Sequence, residues 1–230
     1  MYISLTDLAQ YTATFSDGAA KIEDLFLDSS TRQVHGLFVD IGGWLANEHL
    51  FVPKAKIAGV SPDTRAAEIW ATPENLRAAT DADPILMDAD AGAARDILQR
   101  GLWKTDGAYR EVLAALTKLA DTGPDLIALN TLMSREIAAE DGTAGRLVDF
   151  LVEPGDLAPA YIVVDTGLAL PKRQFVVPIA LPQERGSDED PAQLQITRAR
   201  IESSPPLERF TRQDRHWFDQ VTAYYGLSLR

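Results

Sequence analysis

Three histidines, His35, His49 and His216, and two aspartates in matching surroundings, Asp40 and Asp165, are the residues best suited to proton transfer or metal binding. His35 and His49 flank a turn that begins at Asp40. Two imidazoles and a carboxylate can hold a divalent cation, or make a general base with the acid that orients it. Their spacing matches no compact ligand motif, and the equivalent positions further along the chain hold Ala160 and Gln174. We therefore expect strand histidines and no metal site. Asp40 and Asp165 could pair as acid and base. An aspartate shortly before a glycine more commonly accepts hydrogen bonds from turn amides, so structural carboxylates are expected.

The stretch FVDIGGW, residues 38–44, raises a second possibility. A glycine loop that cradles phosphate should open a helix whose N-terminus faces the anion. Gly42 and Gly43 lead instead into another strand-like run, so the pair reads as a turn. Asp88, Asp90 and the run at 187–190 lack the glycine and terminal glutamate of a calcium loop, and no GxSxG elbow is present. No catalytic residue, cofactor site or metal site is expected, and the chain reads as a non-enzyme. Trp44, on the turn, and Tyr109, on an apolar helical stripe, are the candidate contacts for a protein partner. The competing expectation is that both pack inward.

The elements that must position these residues are set by composition and by repetition. The 230 residues are 46% hydrophobic and 24% charged, as in a globular protein. A net charge of −12 disfavours nucleic acid, whose binding needs lysine and arginine, and it would be repelled by an anionic membrane. Cysteine is absent, which removes disulfides, thiolate nucleophiles and sulfur ligands. The first residues lack the charged and apolar regions of a secretory signal, and no run reaches bilayer-spanning length. A cytoplasmic chain without a transmembrane segment is expected.

One unit occurs twice. LFVDIGGWLANEHLFVP (37–53) lies without gaps over IVVDTGLALPKRQFVVP (162–178), 125 positions later. Asp40 then matches Asp165, Gly42 matches Gly167 and Pro53 matches Pro178. Upstream, IEDLFLD (22–28) meets LVDFLVE (147–153), with Asp24 over Asp149. The Asp-Gly pairs ahead of these, Asp17-Gly18 and Asp141-Gly142, are displaced by one residue. Downstream, Thr72 and Thr197 correspond, and each can cap a short helix. Alternating apolar residues such as Leu37, Val39 and Ile41, with strands stopped by proline, predict short β-strands in a small barrel or sandwich.

Between the copies the pattern turns helical, with a stripe of Tyr109, Val112, Leu113, Leu116 and Leu119. A final helix is expected after Thr211, with Trp217, Val221 and Tyr224 on one face and Gly226 as its stop. The expected domains are a first barrel at 1–84, a helical linker at 85–130, and a second barrel with a helical extension at 131–230. Because barrels of this size are marginal alone, they should be covered by helices or pack as a pseudo-twofold pair.

The repeated order is an Asp-Gly turn, a strand ending in an acid, Val-Asp-x-Gly, then a strand ending in Val-Pro. It resembles the PRC-barrel family, which includes the cytoplasmic domain of the reaction-centre H subunit and the C-terminal domain of the ribosome maturation factor RimM. The resemblance covers about residues 4–80 and 131–205; the segment between Ser4 and Asp17 and the helical insert depart from it. It implies a mainly β chain: two tandem antiparallel barrels of about six strands each, used for docking rather than chemistry. It carries over no catalytic residue. The expected function is a scaffold that binds an undetermined protein partner, with no direct contact to nucleic acid and with homo-oligomers as a further assembly. The alternative is a small-ligand or ion sensor whose site lies between the barrels near Asp40 and Asp165.

Overall fold

In a computed structural model of the chain, the described residues are 2–29, 31–42, 49–76, 126–167, 173–181, 183–184, 192–207 and 215–227. The chain divides into two compact units, Asp7–Asn130 and Met1–Thr6 joined with Thr131–Arg230. Each unit holds a seven-stranded sheet, and the fold is mainly β, with two sheets curled into half-barrels.

The first sheet is built from β2 (Thr12–Phe15), β3 (Gly18–Asp28), β4 (Val34–Asp40), β5 (His49–Pro53), β6 (Ile57–Ser61) and β7 (Ala66–Ile69). Its order is β5-β4-β3-β2-β7-β6, with β2 and β7 parallel. The second sheet repeats this with β9 (Glu136–Ala139), β10 (Gly142–Val152), β11 (Pro159–Asp165), β12 (Gln174–Pro178), β13 (Gln183–Glu184) and β14 (Ala192–Leu194). Its order is β12-β11-β10-β9-β14-β13, and β14 is parallel to β9.

The seventh strand of each sheet comes from the other half of the sequence. β1 (Ile3–Ser4) pairs with β10, and β8 (Leu126–Ala128) pairs with β3. Each runs directly into a one-turn helix, α1 (Leu5–Leu8) or α2 (Leu129–Leu132). The segments ISLTDL and IALNTL, 124 positions apart, are therefore one repeated donor element. Accordingly Met1–Thr6 belongs with the second sheet rather than with a first unit running 1–84. The expected linker at 85–130 lies outside the described residues as far as 125. Its last residues are the strand β8 and the start of α2.

Both long central strands are bent by the same bulge. In β3 the register slips between Ile22 and Asp24, and in β10 between Leu147 and Asp149, which leaves Glu23 and Val148 as the extra residues. A bulge increases local twist, and here it curls the sheet over its core. Beyond it both faces are covered: Leu25, Phe26 and Leu27 are buried, as are Phe150, Leu151 and Val152. A second slip makes His35 and Ala160 the extra residues of β4 and β11.

The one-residue displacement of the Asp-Gly pairs also has a structural origin. β2 and β3 pair without interruption from Thr12↔Lys21 to Phe15↔Gly18. β9 and β10 slip between Thr143 and Gly145, so Ala144 is an added residue in the second copy. Gly145 absorbs it at φ +149°, where a Cβ would stand 2.3 Å from the Asp165 carbonyl oxygen.

The cores are filled by exchange of large and small residues between copies. A Cβ on Gly36 would meet the Phe51 ring at 2.3 Å, so glycine is required beneath that ring. In the second copy the bulk changes strand: position 161 is tyrosine and position 176 is valine. Tyr161 packs against Tyr2 and Phe218, with centroids 5.0 and 5.2 Å away.

Both threonines cap their helices. Thr72 Oγ1 accepts from Asn75 N at 3.1 Å, and Thr197 Oγ1 accepts from Arg200 N at 3.3 Å at the start of α3 (Arg198–Glu202). The final helix, α4 (Arg215–Tyr224), ends before Gly226 at φ +78°. Its buried stripe is Trp217, Phe218 and Val221, continued by Tyr225. Tyr224 is turned aside and donates to the Arg200 carbonyl at 2.7 Å, so the face is rotated from the one expected. The cap expected at Thr211 lies outside the described residues.

Candidate functional site

The repeated Asp-x-Gly turns have the same geometry in both copies. Asp40 Oδ1 accepts from Gly42 N at 2.9 Å, and Asp165 Oδ1 accepts from Gly167 N at 2.9 Å. Each carboxylate thus closes the turn as β4 or β11 ends. Gly167 sits at φ +67°, a conformation that suits glycine. Pro53 and Pro178 are the last residues of β5 and β12, opposite Gly36 and Tyr161.

The three histidines lie on three different elements, β4, β5 and α4. His49 is the register partner of Asp40 across β4 and β5, but His35 lies five residues back along β4, roughly 16 Å away at strand spacing. The His35 ring stacks on Phe51 at 5.9 Å, and burial lowers its pKa, against a smaller raising effect of Asp28. His216 lies on α4 beside Gln220, 3.1 Å from its side-chain nitrogen. Among the described residues no group of three or more His, Cys, Asp or Glu is placed to hold a metal ion. Trp44, Tyr109, Asp88, Asp90 and the 187–190 run lie outside the described residues.

The polar centre of each sheet is a different repeated aspartate. Asp24 and Asp149 are only 2% and 3% exposed, and each stands at the bulge where β3 or β10 changes partner along one edge. Along that edge of β3, the ladder with β2 stops at Lys21 and the ladder with β8 starts at Phe26. The interrupted ladder leaves amides without strand acceptors, and a carboxylate can supply them. Asp149 Oδ1 accepts from Phe150 N at 2.8 Å and Thr6 N at 3.1 Å, while Ser4 Oγ donates to Oδ2 at 2.5 Å. The aspartate therefore ties the second sheet to its donated strand and to the start of α1.

Asp24 repeats this with one partner missing. Its carboxylate accepts from Leu25 N at 2.8 Å and from the Asn130 amide. The residue equivalent to Ser4 is Ala128, opposite Phe26 as Ser4 is opposite Leu151, and Asp24 Oδ2 has no hydrogen-bond partner. Burial raises its pKa to about 6; the two amides oppose the shift and the charge of Glu23 adds to it. In the sequence Asp24 and Asp149 align only as a repeat marker, because no local pattern reveals their burial. The recurrence of ISLTDL as IALNTL was the available signal.

The other feature missed is Trp70. It follows β7, is 78% exposed, and is the exposed large hydrophobic residue among those described. Its amide donates to the Lys56 carbonyl at 2.8 Å. Position 195 in the second copy is glutamine, so no repeat signal marked it.

No protein-family model matches the sequence, and no curated protein is significantly similar to it. No helix among the described residues is long and apolar enough to cross a membrane.

Proposed function

We propose that this chain is a non-enzymatic docking protein, built on two PRC-barrel-like modules and binding a protein partner. The observation that carries the reading is the use made of the repeated carboxylates. Asp40 and Asp165 hold turn amides, and Asp24 and Asp149 hold amides at the bulges. The duplicated polar residues are thereby committed to stiffening two frames, and a stiff frame presents loops and edges with little ordering cost on association. The resemblance of the repeated Val-Asp-x-Gly pattern to PRC barrels supports the same conclusion.

The test is capture from the native cell by wild type, Trp44→Ala and Tyr109→Ala, each with its melting temperature. The reading expects a protein retained by wild type to be lost with at least one variant whose melting temperature is unchanged. Equal recovery of every captured protein by all three would overturn it.

A further inference from the structure

We infer that Leu126–Asn130 is a proton-controlled latch on the first sheet, held in place while the Asp24 carboxyl is protonated and released locally when it ionises. The latch is short: β8 pairs with β3 as Ala128 opposite Phe26, Ile127 opposite Leu27 and Leu126 opposite Asp28. The chain leaves this compact unit after Asn130, and the Asn130 amide is bonded to the Asp24 carboxylate. Asp149 takes the same grip in the other unit, on the amide of Thr6, the last residue before the chain crosses in the opposite direction. Each carboxylate therefore holds a donated strand at the residue where the chain changes unit.

The two grips differ in how they bear charge. Asp149 receives Thr6 N and Phe150 N on one oxygen and Ser4 Oγ on the other, so an ionised carboxylate there is bonded at both oxygens. In the first sheet Ala128 stands where Ser4 stands in the second, and Asp24 Oδ2 is buried without a hydrogen-bond partner. A charge on that atom costs desolvation and gains no bond in return while β8 is in place. Opening of a few residues brings it back to water, so ionisation favours the open form.

The groups around Asp24 set the sign. β8 and the start of α2 bring residues 126–130, LIALN, none of which titrates, and β4 brings Phe38, the register partner of Asp24. On β3, Asp28 lies opposite Leu126 and accepts from Thr31 N at 2.6 Å, and Glu23 pairs with Lys21 at 2.7 Å. Among the described residues the charge that acts on Asp24 is that of Glu23, which has the same sign and adds to the effect of burial. The Asp24 pKa is thereby raised to about 6, against the opposing pull of the Leu25 and Asn130 amides. A raised carboxyl favours the closed form fully below the ordinary carboxylate range, and that advantage is lost as pH rises through 6. His35 on β4 acts in the opposite sense: burial lowers its pKa, so its contribution is lost as pH falls. Loosening with rising pH therefore belongs to Asp24. The latch needs no other protein, so it stands or falls apart from the docking reading.

Amide hydrogen exchange on the full chain, with each rate divided by that of the unstructured chain at the same pH, reads the opening directly. In wild type the opening constant of residues 126–130 should rise about fiftyfold from pH 4 to pH 7.5, as expected for a carboxyl moved from 3.8 to about 6. At pH 7.5 these amides should open about tenfold or more as often as those of the Ile22 and Val39 pair between β3 and β4, which marks local release. Asp24→Asn, which cannot ionise, should abolish the rise. Ala128→Ser, which supplies the second donor, should lower the opening constant about tenfold at pH 7.5. No rise in wild type, a rise retained in Asp24→Asn, or exchange of 126–130 only together with the β3–β4 ladder would each overturn the proposal. If Asp24→Asn fails to fold, Ala128→Ser decides, and an opening constant unchanged by the serine at pH 7.5 overturns it.

Discussion

Asp24 and Asp149 occupy the same place in two copies of one sheet and differ by a single oxygen atom on the strand beside them. Ser4 donates to Asp149, whereas Ala128 offers Asp24 Oδ2 nothing. An ionised carboxylate in that setting carries a desolvation cost that its two amides only partly offset. With a folded pKa of about 6, above an unfolded value of ~3.9, the folded state holds the proton more tightly. Asp24 therefore contributes stability that is fully present below the unfolded pKa and is lost as pH rises through 6, up to about 3 kcal/mol for such a shift. Ala128→Ser should restore the missing donor. Urea denaturation should show the variant stabilised by about 1–2 kcal/mol at pH 7.5, with little difference from wild type at pH 4. An equal change at both pH values would mean that the serine acts through packing and not through the carboxylate. Ser4→Ala should do the converse to the second sheet and cost about 1–3 kcal/mol at neutral pH.

Among the elements, strands and turns were the most legible in the sequence. The gapless match of residues 37–53 to 162–178 gave β4, β5, β11 and β12 with their closing prolines, because period-two apolar runs and proline stops are local signals. The threonine caps were legible for the same reason. The slip of the Asp-Gly pairs was visible as a displacement, but its cause was not. Choosing Ala144 as the inserted residue needs the cross-strand register, which no local pattern contains. Gly145 at φ +149° is the accommodation, and it sets an expectation. Gly145→Ala should destabilise the chain by about 2 kcal/mol or more, since a Cβ collides with backbone there. Deleting Ala144 in the same chain gives β9 and β10 the uninterrupted pairing that β2 and β3 have, where the residue equivalent to Gly145 is Ala20, and should recover most of that loss in thermal melts. A double change worse than Gly145→Ala alone would place the added residue elsewhere.

At the scale of the whole molecule, duplication was readable and exchange was not. Two short strands, Ile3–Ser4 and Leu126–Ala128, carry too few residues to announce themselves, and their partners are far off in sequence, Val152 for Ile3 and Leu27 for Ile127. The apolar pattern between the copies reads as a helical linker, and β8, which pairs with β3, stands at the end of that expected span. The expectation that follows runs against chain order. Removing Met1–Thr6 strips β10 of its edge partner and Asp149 of Ser4 and the Thr6 amide. Hydrogen exchange should then speed up in β10 and β11, in the C-terminal half, before it does in β3 and β4. Faster exchange confined to residues 7–42 would contradict the pairing of β1.

The same reciprocity has a mechanical result. A protease that severs the backbone anywhere in 77–125 leaves an N-terminal fragment still holding β1 in the second sheet and a C-terminal fragment still holding β8 in the first. Like two clasped links, the pieces stay together after the thread between them is cut. They part only when a sheet is unravelled.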